Sequence, residues 1–112
     1  MAFECIFCGI INKEIPCNVI KETDEIIVIK DINPKAFIHY LIIPKKHIQD
    51  VQSFSDQDTD LAGKLFLVAR DLSATLPNSP DFRLIINSGK QAGQHVFHLH
   101  LHFLAGRQLD EV

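Results

Sequence analysis

The sequence predicts an α+β fold, in which an antiparallel sheet of about five strands carries one long helix on one face. One segment, residues 56–76, places apolar side chains at helical spacing. Five shorter segments have the composition of strands and are joined mostly by short connections, which favours a meandering antiparallel order. The chain has 112 residues, 46% of them hydrophobic, and no repeat or linker. One domain over residues 1–112 with a core of its own is therefore expected.

The predicted elements follow one another without long gaps. They are a short helix over residues 6–13, strands over 17–22, 25–30 and 38–43, the long helix over 56–76, and strands over 82–88 and 96–104. Pro16 ends the first helix. Ser55 and Asp58 form a capping box for the long helix, with Asp58 in place of the usual Glu or Gln. The apolar stripe of that helix consists of Leu61, Leu65, Val68, Leu72 and Leu76.

Composition excludes several classes of function. The net charge of −3 argues against a non-specific nucleic-acid binder, which needs a basic surface. No apolar run approaches the roughly 20 residues of a membrane span, and the N-terminal residues do not resemble a signal peptide. A cytoplasmic location is therefore expected. Three cysteines make a disulfide framework unlikely in that setting, so the close pair Cys5 and Cys8 is either a metal or redox site or two plain thiols.

The last predicted strand carries the strongest chemical signal. His98, His100 and His102 alternate with apolar residues, so a strand would place all three on one face, neighbours about 6.5–7 Å apart. The opposite face would pack under the long helix. Buried imidazole rings need polar partners. The three histidines are therefore predicted to face a cleft or solvent and to serve a function.

Two chemistries fit three histidines on one face. His98 and His100 could ligate one metal if a third protein ligand joined them. Alternatively, a neutral imidazole attacks phosphorus, while its neighbours donate hydrogen bonds and protonate the leaving group. Histidine suits this because its pKa of about 6.5 leaves it mostly neutral near pH 7. The glycine-bounded loop over residues 89–94 offers backbone donors for a phosphate, which favours phosphorus chemistry.

These residues resemble the histidine triad (HIT) family, and within it the Hint branch of the bacterial Cys-x-x-Cys type. The motif in this chain is His98-Leu99-His100-Leu101-His102-Phe103-Leu104. Further similarities cover nearly the whole chain, at Phe7, Ile10, Ile11, His39, Asn87, Gly93, Gln94 and residues 13–16, 31–34, 43–48 and 106–108.

The resemblance implies a fold, an assembly and an activity. Two five-stranded sheets would join in a homodimer as one ten-stranded sheet. The protein would be a purine nucleoside phosphoramidase, which cleaves nucleoside 5′-phosphoramidates of AMP or related adenylated adducts. The reaction would pass through a nucleotidyl-histidine intermediate and would need no catalytic cofactor.

The resemblance also implies a role for individual residues. His100 would be the nucleophile, flanked by His98 and His102, with the His98 carbonyl orienting the His100 ring and His39 hydrogen-bonded behind the triad. Asp31 would accept hydrogen bonds from the ribose hydroxyls. The base would lie between Phe7, Ile10 and Ile32, and the phosphate would be held by Asn87, Gly93, Gln94 and His95, beside His100 and His102.

Two differences from the better-known Hint proteins concern selectivity. His95 stands where a serine near the leaving group is common, so leaving-group preference and pH optimum are expected to differ. The sequence also stops at Val112 without the tryptophan-bearing tail of animal Hint proteins.

The same resemblance gives the cysteine pair a role. Cys5, Cys8, His47 and His98 would form a Cys₂His₂ set, which suits a closed structural zinc site.

Two other functions stay open at this point. The chain could be an AMP-binding regulatory or interaction module with little turnover, which His95 and the missing tail allow. It could also be a zinc-dependent hydrolase that uses His98 and His100 together.

Overall fold

The predicted α+β architecture is confirmed. A computed structural model describes residues 5–111 of the protein, which fold into a five-stranded antiparallel sheet with one long helix on one face. The elements are α1 (Ile6–Ile11), β1 (Val19–Glu22), β2 (Ile26–Lys30), β3 (Ile38–Pro44), α2 (Thr59–Ser73), β4 (Phe82–Ile85) and β5 (Leu101–Ala105). Short 3₁₀ turns lie at Val51–Ser53, Asp56–Asp58 and Lys90–Ala92.

The strand order differs from a simple meander. It is β1-β2-β3-β5-β4, so the last strand lies between β3 and β4. The segment that contains α2 carries the chain away from β3 to the sheet edge, where β4 forms, and leaves the position beside β3 for β5. Phe103 of β5 is fully buried, as the more central position requires, whereas every residue of β4 is at least partly exposed. In this register His39 pairs with Leu104, and Leu41 pairs with His102.

Each face of the sheet is covered by its own apolar cluster. On one face the α2 residues Leu61, Leu65, Val68 and Leu72 pack with residues of β2, β3 and β5, and with Leu99. This confirms the predicted apolar stripe. On the other face Phe7 and Ile10 of α1 pack with Ile27, Ile29, Leu41 and Ile43. The two helices therefore sandwich the sheet, and β2 and β3 are buried on both sides.

The long helix begins as predicted and ends earlier. Ser55 and Asp58 form the expected capping box, but its first turn is 3₁₀, and the α-helix starts at Thr59. The helix ends at Ser73 rather than at Leu76, because residues 74–76 form tighter turns that bond to carbonyls three or four residues back. Within residues 5–111 the structure has no helix that is long and apolar enough to cross a membrane.

The predicted strand over residues 96–104 is wrong in its first half, since β5 begins only at Leu101. Upstream of that point the chain bonds to the segment after β3. The Leu99 N–H donates to the Ile48 carbonyl at 2.6 Å, and the Pro44 carbonyl accepts from the His98 ring at 2.7 Å. Residues 98 and 99 therefore contact Pro44 at the end of β3 and Ile48 after it, outside the strand ladder.

Candidate functional site

The three histidines of the motif do not share one cleft. His98 is fully buried, and its ring lies beside Cys5, Cys8 and His47. The rings of His100 and His102 are partly exposed neighbours, with centroids 5.1 Å apart. The prediction that all three rings face a cleft or solvent is therefore wrong for His98, which is buried, although Leu99 and Leu101 pack toward α2 on the opposite face, as the alternation predicts.

The His100 ring is held in one tautomer. Its Nδ1 lies 2.8 Å from the His98 carbonyl oxygen, which can only accept, so Nδ1 carries the proton and Nε2 keeps its lone pair. The Phe7 ring packs edge-on against it, with centroids 5.0 Å apart. Burial lowers the pKa of His100, more than its bond to His98 and the charge of Asp31 raise it. The result is a neutral imidazole whose Nε2 can act as a nucleophile near pH 7.

A chain of hydrogen bonds fixes the opposite tautomer in His102. The Lys35 N–H donates to His39 Nδ1 at 2.9 Å, so a neutral His39 carries its proton on Nε2. That nitrogen lies 2.9 Å from His102 Nδ1, which therefore accepts. His102 is left with its proton on Nε2. Burial, with the nearby His100 and His39, lowers the pKa of His102 to about 4, so the ring is a neutral donor at physiological pH.

Asp31 lies next to this chain. Its Oδ1 accepts from the Asn33 N–H at 2.7 Å, and its Oδ2 lies 3.4 Å from His39 Nε2. The carboxylate is partly exposed and can be reached by a ligand.

The three residues predicted to line the base differ widely in exposure. Phe7 and Ile10 are each 6% exposed and belong to the core under α1. Ile32 is 91% exposed in the loop after β2. Of the two core residues, Phe7 reaches a motif ring, since it contacts His100.

The glycine-bounded loop is shaped by Gln94, whose side chain is not free to bind a phosphate. The Gln94 Oε1 accepts from the Gly89 N–H at 2.8 Å, and its Nε2 donates to the carbonyls of Gln49 and Val96 at 2.7 and 3.0 Å. The backbone N–H groups of Gly93 and Gln94 also donate within the loop. The donors of Gly93 and Gln94 are therefore paired within the protein, and they hold the loop in shape.

The remaining predicted phosphate residues lie near this loop. A Cβ atom on Gly93 would stand 4.0 Å from Asn87 Cγ, so Asn87 packs beside the loop. Gly93 has φ +97°, a conformation that glycine adopts without strain. His95 follows the loop and is exposed.

The predicted metal ligands form a compact cluster. Cys5, Cys8, His47 and His98 each bring one ligand atom within 4.8 Å of the others. Cys5 Sγ lies 3.3 Å from His98 Nδ1, Cys8 Sγ lies 3.3 Å from His47 Nδ1, and the two Nδ1 atoms are 3.1 Å apart. A tetrahedral zinc ion with ordinary bond lengths separates sulfur from nitrogen by about 3.6 Å and two nitrogens by about 3.3 Å. The donor set therefore fits zinc in both chemistry and spacing.

A backbone contact prepares His98 for this site. Its Nε2 donates to the Pro44 carbonyl at 2.7 Å, so its Nδ1 offers a lone pair to the cluster, as the outer contacts of metal-bound histidines usually arrange. The same orientation contradicts a metal shared by His98 and His100, because His100 Nδ1 is occupied by the His98 carbonyl and its Nε2 belongs to the other cluster of rings. The Asp31, His39 and His102 group is also compact, but the Nε2 proton of His39 opposes metal binding there.

Comparison with known proteins identifies the family. Residues 4–110 match the family model described as scavenger mRNA decapping enzyme C-term binding. The chain is 45% identical, over 107 residues, to an uncharacterised HIT-like protein of Synechocystis, which covers 96% of this chain and 94% of the relative. The chain belongs to the HIT family.

Solved HIT structures share its fold. A HIT family hydrolase of Legionella pneumophila superposes with a TM-score of 0.90 at 40% identity, over 96% of each chain. A zinc-bound histidine triad family protein of Mycobacterium smegmatis gives a TM-score of 0.80 at 31% identity, over 96% of this chain and 78% of the other. The chain therefore shares its fold with a HIT family hydrolase. It also shares it with a histidine triad family protein whose structure contains zinc.

Two contributors to the site had no signal in the sequence. The Lys35 N–H sets the tautomer of His39, and the Pro44 carbonyl sets that of His98. Both act through the backbone, which every residue possesses, so residue type could not identify them. Proline at position 44 only limits where β3 can continue.

Proposed function

We propose that this HIT protein hydrolyses nucleoside 5′-phosphoramidates of AMP type, with His100 as nucleophile. One observation carries the proposal. His100 offers a lone pair on Nε2, while its neighbour His102 has its proton on Nε2, and backbone hydrogen bonds fix both states before any substrate binds. A nucleophile next to a hydrogen-bond donor is the pair that phosphoryl transfer requires.

The two residues divide the reaction between them. The His100 Nε2 attacks phosphorus and forms a nitrogen–phosphorus bond to the enzyme, while His100 keeps its Nδ1 proton. The bond from phosphorus to the leaving amine breaks, and that amine takes up a proton from solvent. His102 Nε2–H donates to a phosphoryl oxygen and stabilises the charge that develops there. Water then attacks the nucleotidyl-histidine, releases the nucleoside monophosphate and restores neutral His100.

The rest of the pocket positions the nucleotide. Asp31 has partly exposed carboxylate oxygens with spare lone pairs, which suit the two hydroxyls of a ribose. Asn87 and the exposed His95 lie along the loop that Gln94 shapes, and they contact the phosphate and the leaving group. Phe7 and Ile32 contribute apolar surface toward the base, while Ile10 supports Phe7 from the core.

Zinc, in this proposal, is structural. Cys5, Cys8, His47 and His98 would hold it, and it would join α1 to the segments after β3 and before β5. Its chemistry is that of a closed four-ligand site, so no step of the hydrolysis involves it.

The proposal includes a homodimer that pairs through β4. A ten-stranded sheet requires two edge strands to meet, and the edges are β1 and β4. The pairing of β1 shifts register between Val19 and Lys21, and its Glu22 binds Lys13 and Lys45; bulges and charges of this kind protect an edge. Apolar exposure does not separate the two edges, since Val19 and Ile20 of β1 are 41% and 37% exposed, and Phe82 of β4 and the following Ile86 are each 37% exposed. In contrast to β1, however, β4 pairs with its neighbour without a register shift. Ile86→Lys should shift the sedimentation coefficient toward a monomer, and an unchanged coefficient would contradict pairing at this edge.

A substrate panel tests the activity. Adenosine and guanosine 5′-phosphoramidates with several amines, and dinucleoside polyphosphates, should be assayed for release of nucleoside monophosphate. The phosphoramidates should be hydrolysed fastest, and His100→Asn should stop turnover while AMP still binds. If the wild type binds AMP but releases none from any phosphoramidate, the chain is a binding module instead.

A further inference from the structure

The two oxygens of the Asp31 carboxylate have different neighbours. Its Oδ1 accepts from the Asn33 N–H at 2.7 Å, and its Oδ2 stands 3.4 Å from His39 Nε2. A carboxylate has about four acceptor sites, so two remain for a ribose diol. The 3.4 Å contact is longer than a normal hydrogen bond, and it places a negative charge beside the one proton of the His39 ring.

The proton on His39 Nε2 determines which nitrogen of His102 is protonated. His39 is 4% exposed, and its Nδ1 is already occupied by the Lys35 N–H. If the proton left His39 Nε2, His102 Nδ1 would have no donor, and His102 could move its own proton from Nε2 to Nδ1. His102 would then present a lone pair, rather than an N–H, beside the nucleophile. A negative charge next to His39 Nε2–H opposes that change.

We propose, building on the function above, that Asp31 is a positioning residue for phosphoryl transfer: through His39 it keeps His102 Nε2–H directed at the phosphoryl oxygen, in addition to binding ribose. The same Asp31 carboxylate would therefore bind the ribose and, through His39, hold His102 in the tautomer that the chemical step needs. The groups that face it are Lys35 beside His39 and His100 beside His102.

Substrates without the ribose diol separate the role of Asp31 in ribose binding from its role in positioning His102. Adenosine 5′-phosphoramidate and its 2′,3′-dideoxy analogue should be compared in wild type, Asp31→Asn and the control Asp24→Asn, which removes a charge from the exposed β1–β2 turn. An amide can present its NH₂ to His39 Nε2 and so favours the wrong tautomer. Asp31→Asn should therefore lower kcat for the dideoxy substrate by at least about 10-fold, by analogy with carboxylates that orient histidines elsewhere. An unchanged kcat for that substrate would overturn the proposal and leave Asp31 with ribose alone.

A second readout does not depend on turnover. Two-bond ¹H–¹⁵N correlation spectra of the free protein identify which nitrogen of His39 and His102 carries the proton. In wild type and Asp24→Asn both protons should be on Nε2, and in Asp31→Asn the His102 signal should shift toward protonated Nδ1. If the protein hydrolyses no phosphoramidate, the proposed function fails, and this spectrum alone decides the coupling: identical tautomers in wild type and Asp31→Asn would overturn it.

Discussion

Four histidines that look alike in the sequence differ in state because each has a different backbone or ring partner. The Nε2–H of His98 donates to the Pro44 carbonyl, and the Nδ1–H of His100 donates to the His98 carbonyl. The Nδ1 of His39 accepts from the Lys35 N–H, and the Nδ1 of His102 accepts from the Nε2–H of His39. The alternation of His98, His100 and His102 is visible in the sequence, and the structure brings His39 into contact with His102. The sequence could not predict their tautomers, because these depend on carbonyl and amide groups that approach from residues 44 and 35.

His95 tests selectivity at the level of one side chain. It is exposed and follows the loop that Gln94 shapes, so it can contact the leaving group without supporting the nucleotide pocket. His95→Ser should change the rank order of amine leaving groups in steady-state assays, with little change in AMP affinity measured by calorimetry. A collapse of AMP affinity would place His95 in the binding pocket instead.

The low pKa of His102 predicts how the stability of the protein depends on pH. The folded pKa of about 4 lies below the unfolded value of about 6.5, so between these pH values the unfolded chain binds the extra proton. The stability that the neutral ring provides is therefore present above about pH 6.5 and is lost as the pH falls toward 4, with a slope of up to about 1.4 kcal/mol per pH unit.

Urea unfolding at several pH values checks this prediction. The free energy of unfolding of His102→Gln should fall less steeply than that of wild type between pH 6.5 and 4. Parallel curves for the two proteins would show that His102 titrates normally in the folded state.

At the scale of elements, periodicity predicted the long helix and its buried face well. Capping at Ser55 and the stripe from Leu61 to Leu72 are local patterns, so they can be recognised without tertiary structure. The first half of the last strand was mispredicted, because the alternation of residues 96–100 is also compatible with an irregular segment that bonds to residues 44 and 48. The position of β5 between β3 and β4 could not be predicted either, because it depends on pairing between strands that are far apart in the sequence.

Substitutions on opposite sides of α2 test which face of the helix is buried. Leu65 is 2% exposed against the sheet, so Leu65→Ala should lower the free energy of unfolding by about 2–5 kcal/mol. Arg70 lies on the exposed side and pairs with its exposed neighbour Asp71, so Arg70→Ala should change it by less than about 0.5 kcal/mol. Chemical denaturation measures both, and equal losses would contradict the assigned face.

At the scale of the whole molecule, the zinc cluster connects distant parts of the chain. Its ligands come from the start of α1, from the segment after β3 and from the segment before β5. The Cys₂His₂ set could be predicted only through the resemblance, since spacing alone left the Cys5 and Cys8 pair open between a metal site and plain thiols. Their approach to His47 and His98 is a property of the folded chain.

Metal analysis tests this connection. Protein purified without chelator should contain about one zinc per chain, and chelation should lower Tm without unfolding, because both apolar clusters remain. The Cys5→Ser, Cys8→Ser double variant should lose zinc and keep its hydrolase activity, since Pro44 still holds His98. Absence of zinc from the wild type would contradict the site, and loss of activity in a folded double variant would favour a metal-dependent hydrolase.

During the proposed reaction His100 Nε2 forms a bond to phosphorus. Rapid quenching of the wild-type protein with excess adenosine 5′-phosphoramidate, followed by intact-mass and peptide mass spectrometry, tests it most directly. We expect a transient adduct of one nucleoside monophosphoryl group per chain, located on the peptide that contains His100 and absent from His100→Gly. Turnover without any such adduct, or turnover that persists in folded His100→Gly, would contradict this step.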